Sequence, residues 1–201
     1  MKRLELSPLL VVAALAACDD QPQVLPARQT GDKSGSVGSA DPTRTGQRLP
    51  PGTQFQRAKG ELEAKAGMPL QGKATLEEVT GGVRVELTLD GAPPRRKLSV
   101  VVHESGDCND FAKGFGSHWN PRGVRHGLPG ATEQHAGDLG NVSIDERGKG
   151  TLLVLTSGGN LREGDPLSYL GRPLVVHAGE DRGDPSGETG EPIACARIEK
   201  R

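Results

Sequence analysis

Four side chains able to bind a metal ion fall within one short stretch: His118, His126, His135 and Asp138. Three imidazoles and one carboxylate form a closed tetrahedral donor set of the kind that holds structural zinc. The stretch around them, S-H-W-N-P-R-G-V-R-H-G-L-P-G-A-T-E-Q-H-A-G-D, is too rich in Gly and Pro to form a helix or a strand. A loop of this length needs something to hold it, and an ion would close it on itself. The chain has five histidines. The other two, His103 in V-V-V-H-E-S-G-D and His177 in G-R-P-L-V-V-H-A-G-E-D, each end a short apolar run, where a strand would deliver a side chain to a site. Any one of these histidines could as well be a surface or core residue. That all five stand beside Gly-Asp or Asn-Pro signals or at strand ends favours a single metal centre.

The elements around them read as strands. Val83-Arg84-Val85-Glu86-Leu87-Thr88-Leu89 alternates apolar and polar side chains between the turn signals Gly81-Gly82 and Asp90-Gly91. Residues 61–65 and 73–77 are weaker strands of the same type. Leu98 to His103 forms an apolar strand leading into the site. Asn141–Asp145 and Thr151–Leu155 are expected to pair as a hairpin through Arg147-Gly148-Lys149-Gly150. Leu174–His177 and Ala194–Ile198 complete the set. Short strands, Gly-rich turns and no helical period predict an all-β fold, a β-sandwich or Greek-key barrel.

Met1 to Cys18 reads as a secretion signal. Lys2 and Arg3 supply its positive end, and Leu9–Ala17 is an apolar stretch too short to span a bilayer. It ends Leu15-Ala16-Ala17-Cys18, which resembles a bacterial lipobox, with Cys18 as the lipidated residue; the alternative is an ordinary signal peptide with a chance cysteine. This predicts an exported protein held by a lipid to a membrane of the bacterial periplasm or cell envelope. Residues 19–56 carry almost no large apolar side chain and read as a flexible tether. Residues 57–201 are long enough for one domain and too short for two.

Formal net charge is −1 and no basic cluster is present, so nucleic acid is not an expected partner. Aromatic residues make up 2% of the chain, which leaves the core to Val, Leu, Ile and Ala. With Cys18 assigned to the lipid, Cys108 and Cys195 remain. Two cysteines of one exported domain usually pair; the alternative is two free, buried thiols.

H-E-S-G-D-C, G-S-H-W-N-P, H-G-L-P-G, H-A-G-D-L-G-N, G-R-P-L-V-V-H-A-G-E-D and a late A-C occur in an order and spacing similar to the copper/zinc superoxide dismutase family, from about Gly60 to Ile198. The resemblance implies that family's Greek-key barrel with long metal-binding loops, a copper ion beside a structural zinc, and superoxide as substrate. It implies copper ligation by His103, His118 and His177, with His118 bridging to a zinc held also by His126, His135 and Asp138. Asp181, by itself an ordinary loop aspartate, matches the family's outer aspartate that orients an imidazole. The family also implies a Cys108–Cys195 disulfide.

Two positions depart from the family. Val101 stands where the family has a further copper-binding histidine, and Pro192 stands where it has an arginine that guides superoxide. Arg125, Arg172, Arg182 and Arg197 are the candidates to replace that arginine. Two functions follow: a superoxide dismutase of reduced activity with a three-histidine copper site, or a non-catalytic, zinc-stabilised domain for binding or metal handling.

Overall fold

The computed structural model describes residues 55–201. The expected signal peptide, the lipid site Cys18 and nearly all of the tether lie outside the described residues.

Alternation builds the first half. β1 (Arg57–Ala64), β2 (Gln71–Val79) and β3 (Gly82–Asp90) form an antiparallel meander. In β3, Val83, Val85, Leu87 and Leu89 point inward while Arg84 and Glu86 face solvent. Full burial of each such side chain stabilises the fold by about 1.5–3 kcal/mol. The second half comprises β4 (Lys97–Val102), β5 (Asp138–Ser143), β6 (Gly150–Thr156), β7 (Pro173–His177), β8 (Pro192–Arg197) and the short β9 (Glu199–Lys200). The strand order is β5-β4-β7-β8-β1-β2-β3-β6, with β9 paired to β1 and every strand pair antiparallel. Strand β3 passes the chain to β4 on the other side, the crossover of a Greek-key barrel, so the all-β expectation is met. A single 3-10 turn at Phe111–Lys113 is the only helical element among the described residues.

One expected pairing is wrong. The segments at 141–145 and 151–155 are joined by a tight turn, in which Asp145 accepts from the amides of Arg147 and Lys149, but they do not form a hairpin. Strand β5 pairs with β4 and β6 pairs with β3, and only an Ile144–Gly150 bridge links the two. Beyond that bridge the two strands diverge and line an open groove of about 400 Å³ between residues 139–143 and 152–154, because each is held to a different neighbour by its own ladder. The sequence showed two strands and a turn but not which edge each strand chose.

Strands β4 and β7 are buried on both faces, hence their unbroken runs of valine. Leu98, Val100 and Val102 enter the barrel core. Ser99, Val101 and His103 take the opposite face, since side chains alternate along a strand, and the long loops after β4 and β7 cover them.

Candidate metal centre

Backbone bonds carry the first loop to the end of β4. Trp119 donates its amide to Val102 O at 2.8 Å, Val102 donates to Gly137 O at 2.8 Å, and Gly137 donates to Trp119 O at 2.9 Å. Both ends of the 118–138 segment are thereby pinned to one strand terminus. The approach leaves no room for a side chain at Gly137, where a Cβ would lie 2.2 Å from Val102 O.

His118, His126, His135 and Asp138 converge, with one ligand atom from each lying within 4.8 Å of the others. Asp138, fully buried at the start of β5, organises them. Its Oδ1 accepts from His118 Nδ1 at 2.8 Å, and its Oδ2 accepts from the amides of His135 at 2.8 Å and Gly127 at 3.2 Å. His126 Nδ1 lies 3.0 Å and His135 Nδ1 3.2 Å from Asp138 oxygens, yet neither has the angle of a hydrogen bond, and both atoms are buried without a partner. Two bare Nδ1 atoms held close to a carboxylate without bonding it suit an ion at that point. The donor set therefore fits zinc.

Asp181 supports this set from behind. Its Oδ1 accepts from His126 Nε2 at 2.9 Å, which leaves Nδ1 of that ring as the free ligand atom. Asn141 on β5 fixes Asp181 by donating to its carbonyl and accepting from its amide, both at 2.8 Å. Burial opposes a charge on His126, but Asp181 and Asp138 outweigh it and raise its pKa above the ordinary histidine value. Burial likewise works against an ionised Asp138, yet the bonds from His118 and the His135 amide hold its pKa below the usual carboxylate value. The first shift favours a charged His126 and the second keeps Asp138 an anion beside it.

His103 and His177 form the second half. Their rings lie 5.2 Å apart, and His103 is 5.3 Å from the His118 ring. His103 Nδ1 donates to Gly116 O at 3.0 Å and His177 Nδ1 donates to Gly190 O at 2.9 Å. Carbonyl oxygens only accept, so each neutral ring keeps a bare Nε2. The two Nε2 atoms face each other at 3.0 Å. Burial pushes the His103 pKa down to about 4 and lowers that of His177. Two neutral imidazoles with opposed lone pairs suit a cation between or beside them, and imidazole suits copper.

Residues that sequence reasoning passed over hold this arrangement. Tyr169 O–H donates to Ala136 O at 2.7 Å, two residues before Asp138, and Thr156 Oγ1 donates to the same carbonyl at 3.1 Å. Burial raises the Tyr169 pKa to about 12. The Trp119 ring meets Tyr169 edge-on at 4.5 Å and carries the Arg172 guanidinium on its face at 4.4 Å. Composition left the core to aliphatic residues, but these two aromatics anchor the loop in it. No local pattern in the sequence marks them. Cys108 and Cys195 are bonded, with Cα atoms 5.2 Å apart, and tie the loop after His103 to β8.

The family model for copper/zinc superoxide dismutase matches residues 70–198. The chain belongs to the copper/zinc superoxide dismutase family. It is 38% identical over 152 residues to a Cu-Zn superoxide dismutase of Aquifex aeolicus, covering 73% of this chain and 88% of that protein. It is 36% identical over 122 residues to the copper chaperone for superoxide dismutase of Rattus norvegicus, covering 57% of this chain and 42% of that one. Among solved structures it resembles the clock protein EA4, with a TM-score of 0.60 and 31% identity, covering 71% of this chain and 93% of that chain.

The family implies copper and zinc, and the two positions singled out in the sequence, Val101 and Pro192, can be located. Val101 is fully buried and faces Val175 of β7 and Asp138 of β5, on the strand face that carries His103 two residues later. Pro192 pairs with His177 across a bulge. None of the candidate arginines lines the cleft over His103 and His177. Arg125 pairs with Glu133, Arg172 stacks on Trp119 and donates to Glu104 O, Arg182 lies in a separate groove beside Arg95 and Arg96, and Arg197 donates to the carbonyls of Gly106 and Gly171.

Proposed function

We propose that the protein is a superoxide dismutase-like metalloprotein, converting superoxide to oxygen and hydrogen peroxide slowly, with His118, His126, His135 and Asp138 holding zinc and His103, His118 and His177 holding copper. The observation that carries this reading is the opposed pair of bare Nε2 atoms, 3.0 Å apart, next to the His118 ring. Copper, when bound, supplies the one-electron exchange that dismutation needs, while zinc keeps one oxidation state. His118 stands between the two sets and fixes their separation. Asp181 holds His126 in the tautomer that presents Nδ1 to the zinc position.

Val101 sets the level of activity. A valine cannot donate an electron pair, so the copper position loses one imidazole from the strand that aims at it. Without an arginine at Pro192, a small anion also loses a guide. Loading wild type and Val101→His with copper and zinc tests this. The variant is expected to bind copper at least about tenfold more tightly, about 1.4 kcal/mol, and to dismutate faster. Full copper occupancy with a fast, unchanged rate in the wild type would show that Val101 is not at the metal.

The second reading is a zinc-stabilised, metal-handling domain without turnover. The same buried Val101 favours it, and a copper site with no dismutase rate would select it. We further infer export and lipid anchoring at Cys18 from the lipobox-like Leu15-Ala16-Ala17-Cys18. Cys18→Ser should move the protein from the membrane to the soluble fraction.

A further inference from the structure

The charge around the cleft over His103, His118 and His177 opposes the charge of superoxide. The cleft holds about 980 Å³, and its lining includes the carboxylates of Glu104, Glu188 and Glu191 but no lysine or arginine. All three glutamates are exposed at its mouth. The lining itself supplies no counter-charge. Lys65 meets Glu191 at 3.2 Å, an exposed pair that contributes little. Arg172 lies near Glu104 but is committed to Trp119 and to the Ser168 and Glu104 carbonyls. Beneath this rim lie the buried Nδ1 atoms of His126 and His135, which have no hydrogen-bond partner, and the Nε2 atoms of His103 and His177, which contact only each other.

A cleft lined by one sign of charge, with protein rather than water behind it, focuses its field and concentrates the opposite ion. Here that ion is a cation. The residues on its floor accept a soft cation of low coordination number, because one ligand direction is closed by Val101. We propose that this cleft is a cation port through which the protein takes up monovalent copper, with Glu104, Glu188 and Glu191 drawing the cation in and the histidines on the floor selecting it. The inference rests on the metalloprotein reading above and deepens its metal-handling side: the exchange of copper, rather than of superoxide, is what the mouth favours.

The test is the rate of metal uptake by the full-length protein with its disulfide intact. Zinc-loaded protein is mixed anaerobically with monovalent copper as its acetonitrile complex. In a second arm, metal-free protein is mixed with divalent cobalt, which reaches His118, His126 and His135 through the same cleft and reports by its tetrahedral absorption. Both rates are expected to fall about tenfold between about 10 mM and 0.3 M salt. The exposed triple substitution Glu104→Gln, Glu188→Gln, Glu191→Gln should slow uptake at low salt to near the wild-type high-salt rate and remove the salt dependence. Rates indifferent to both salt and substitution would overturn the port. Absence of copper uptake beside a charge-dependent cobalt rate would overturn copper as the cargo, and with it the copper half of the proposed function. An unchanged melting temperature in the triple variant confirms that any slowing is electrostatic rather than a loss of fold.

Discussion

His103 and His177 turn their Nε2 atoms on each other at 3.0 Å, and each has already given its only ring proton to a backbone carbonyl. With both rings in that neutral form, the two Nε2 lone pairs favour a cation beside them. This arrangement comes from two strands, β4 and β7, that are neighbours in the barrel and end at the same level.

The metal-free protein should lose stability in mild acid. The His103 pKa is about 4 in the folded state, against an ordinary 6.5, so between these values the unfolded chain binds a proton that the folded chain does not. Stability is therefore full above pH 6.5 and falls as the pH drops towards 4. The shift corresponds to a few kcal/mol, about 1.4 kcal/mol per unit. Urea midpoints of metal-free protein across this range should show the fall, and His103→Asn should flatten it.

Removing Asp138 should abolish zinc binding. Its two oxygens receive His118, the Gly127 amide and the His135 amide, so Asp138→Ala also frees the loop. Metal analysis should find no zinc in the variant, with loss of the several kcal/mol that a structural zinc contributes to folding. A melting temperature and protease resistance of residues 116–141 equal to those of the zinc-loaded wild type would refute the assignment.

The Cys108–Cys195 bond closes a loop with a sequence separation of 87. Chain entropy alone predicts about 4 kcal/mol of stabilisation. Cys108→Ala with Cys195→Ala should lower the urea midpoint accordingly. Because the bond holds the loop after His103, the double variant should also bind copper more weakly. Copper binding at wild-type strength would uncouple the disulfide from the site.

Tyr169→Phe removes one donor from the Ala136 carbonyl while Thr156 remains on it. The carbonyl stays satisfied, so the cost should be modest, about 1 kcal/mol. It should appear as faster proteolysis within 118–138 and faster zinc release, both measurable without activity. Thr156→Val combined with Tyr169→Phe leaves the carbonyl bare and should cost more than the two single changes together.

The sequence by itself determined what kind of site this is. Histidine, aspartate, glycine and proline at those spacings have few other uses, and the strands that deliver His103 and His177 are written in local alternation and valine runs, which are properties of near neighbours in the chain. The Cys108–Cys195 bond and the Asp181 support were legible only through the family resemblance, since by local pattern Asp181 is an ordinary loop aspartate and the two cysteines could have stayed free. Tertiary structure decided what depends on residues far apart in sequence. It sent β5 to β4 and β6 to β3 rather than to each other, because strand partners are chosen among residues distant in sequence. It brought Tyr169 and Thr156 onto the Ala136 carbonyl and laid Arg172 on Trp119, contacts that leave no local signature. It also gathered Glu104, Glu188 and Glu191 around one opening while sending each arginine elsewhere. A net charge near zero says nothing of this, because an electrostatic field depends on where charges stand and not on how many there are.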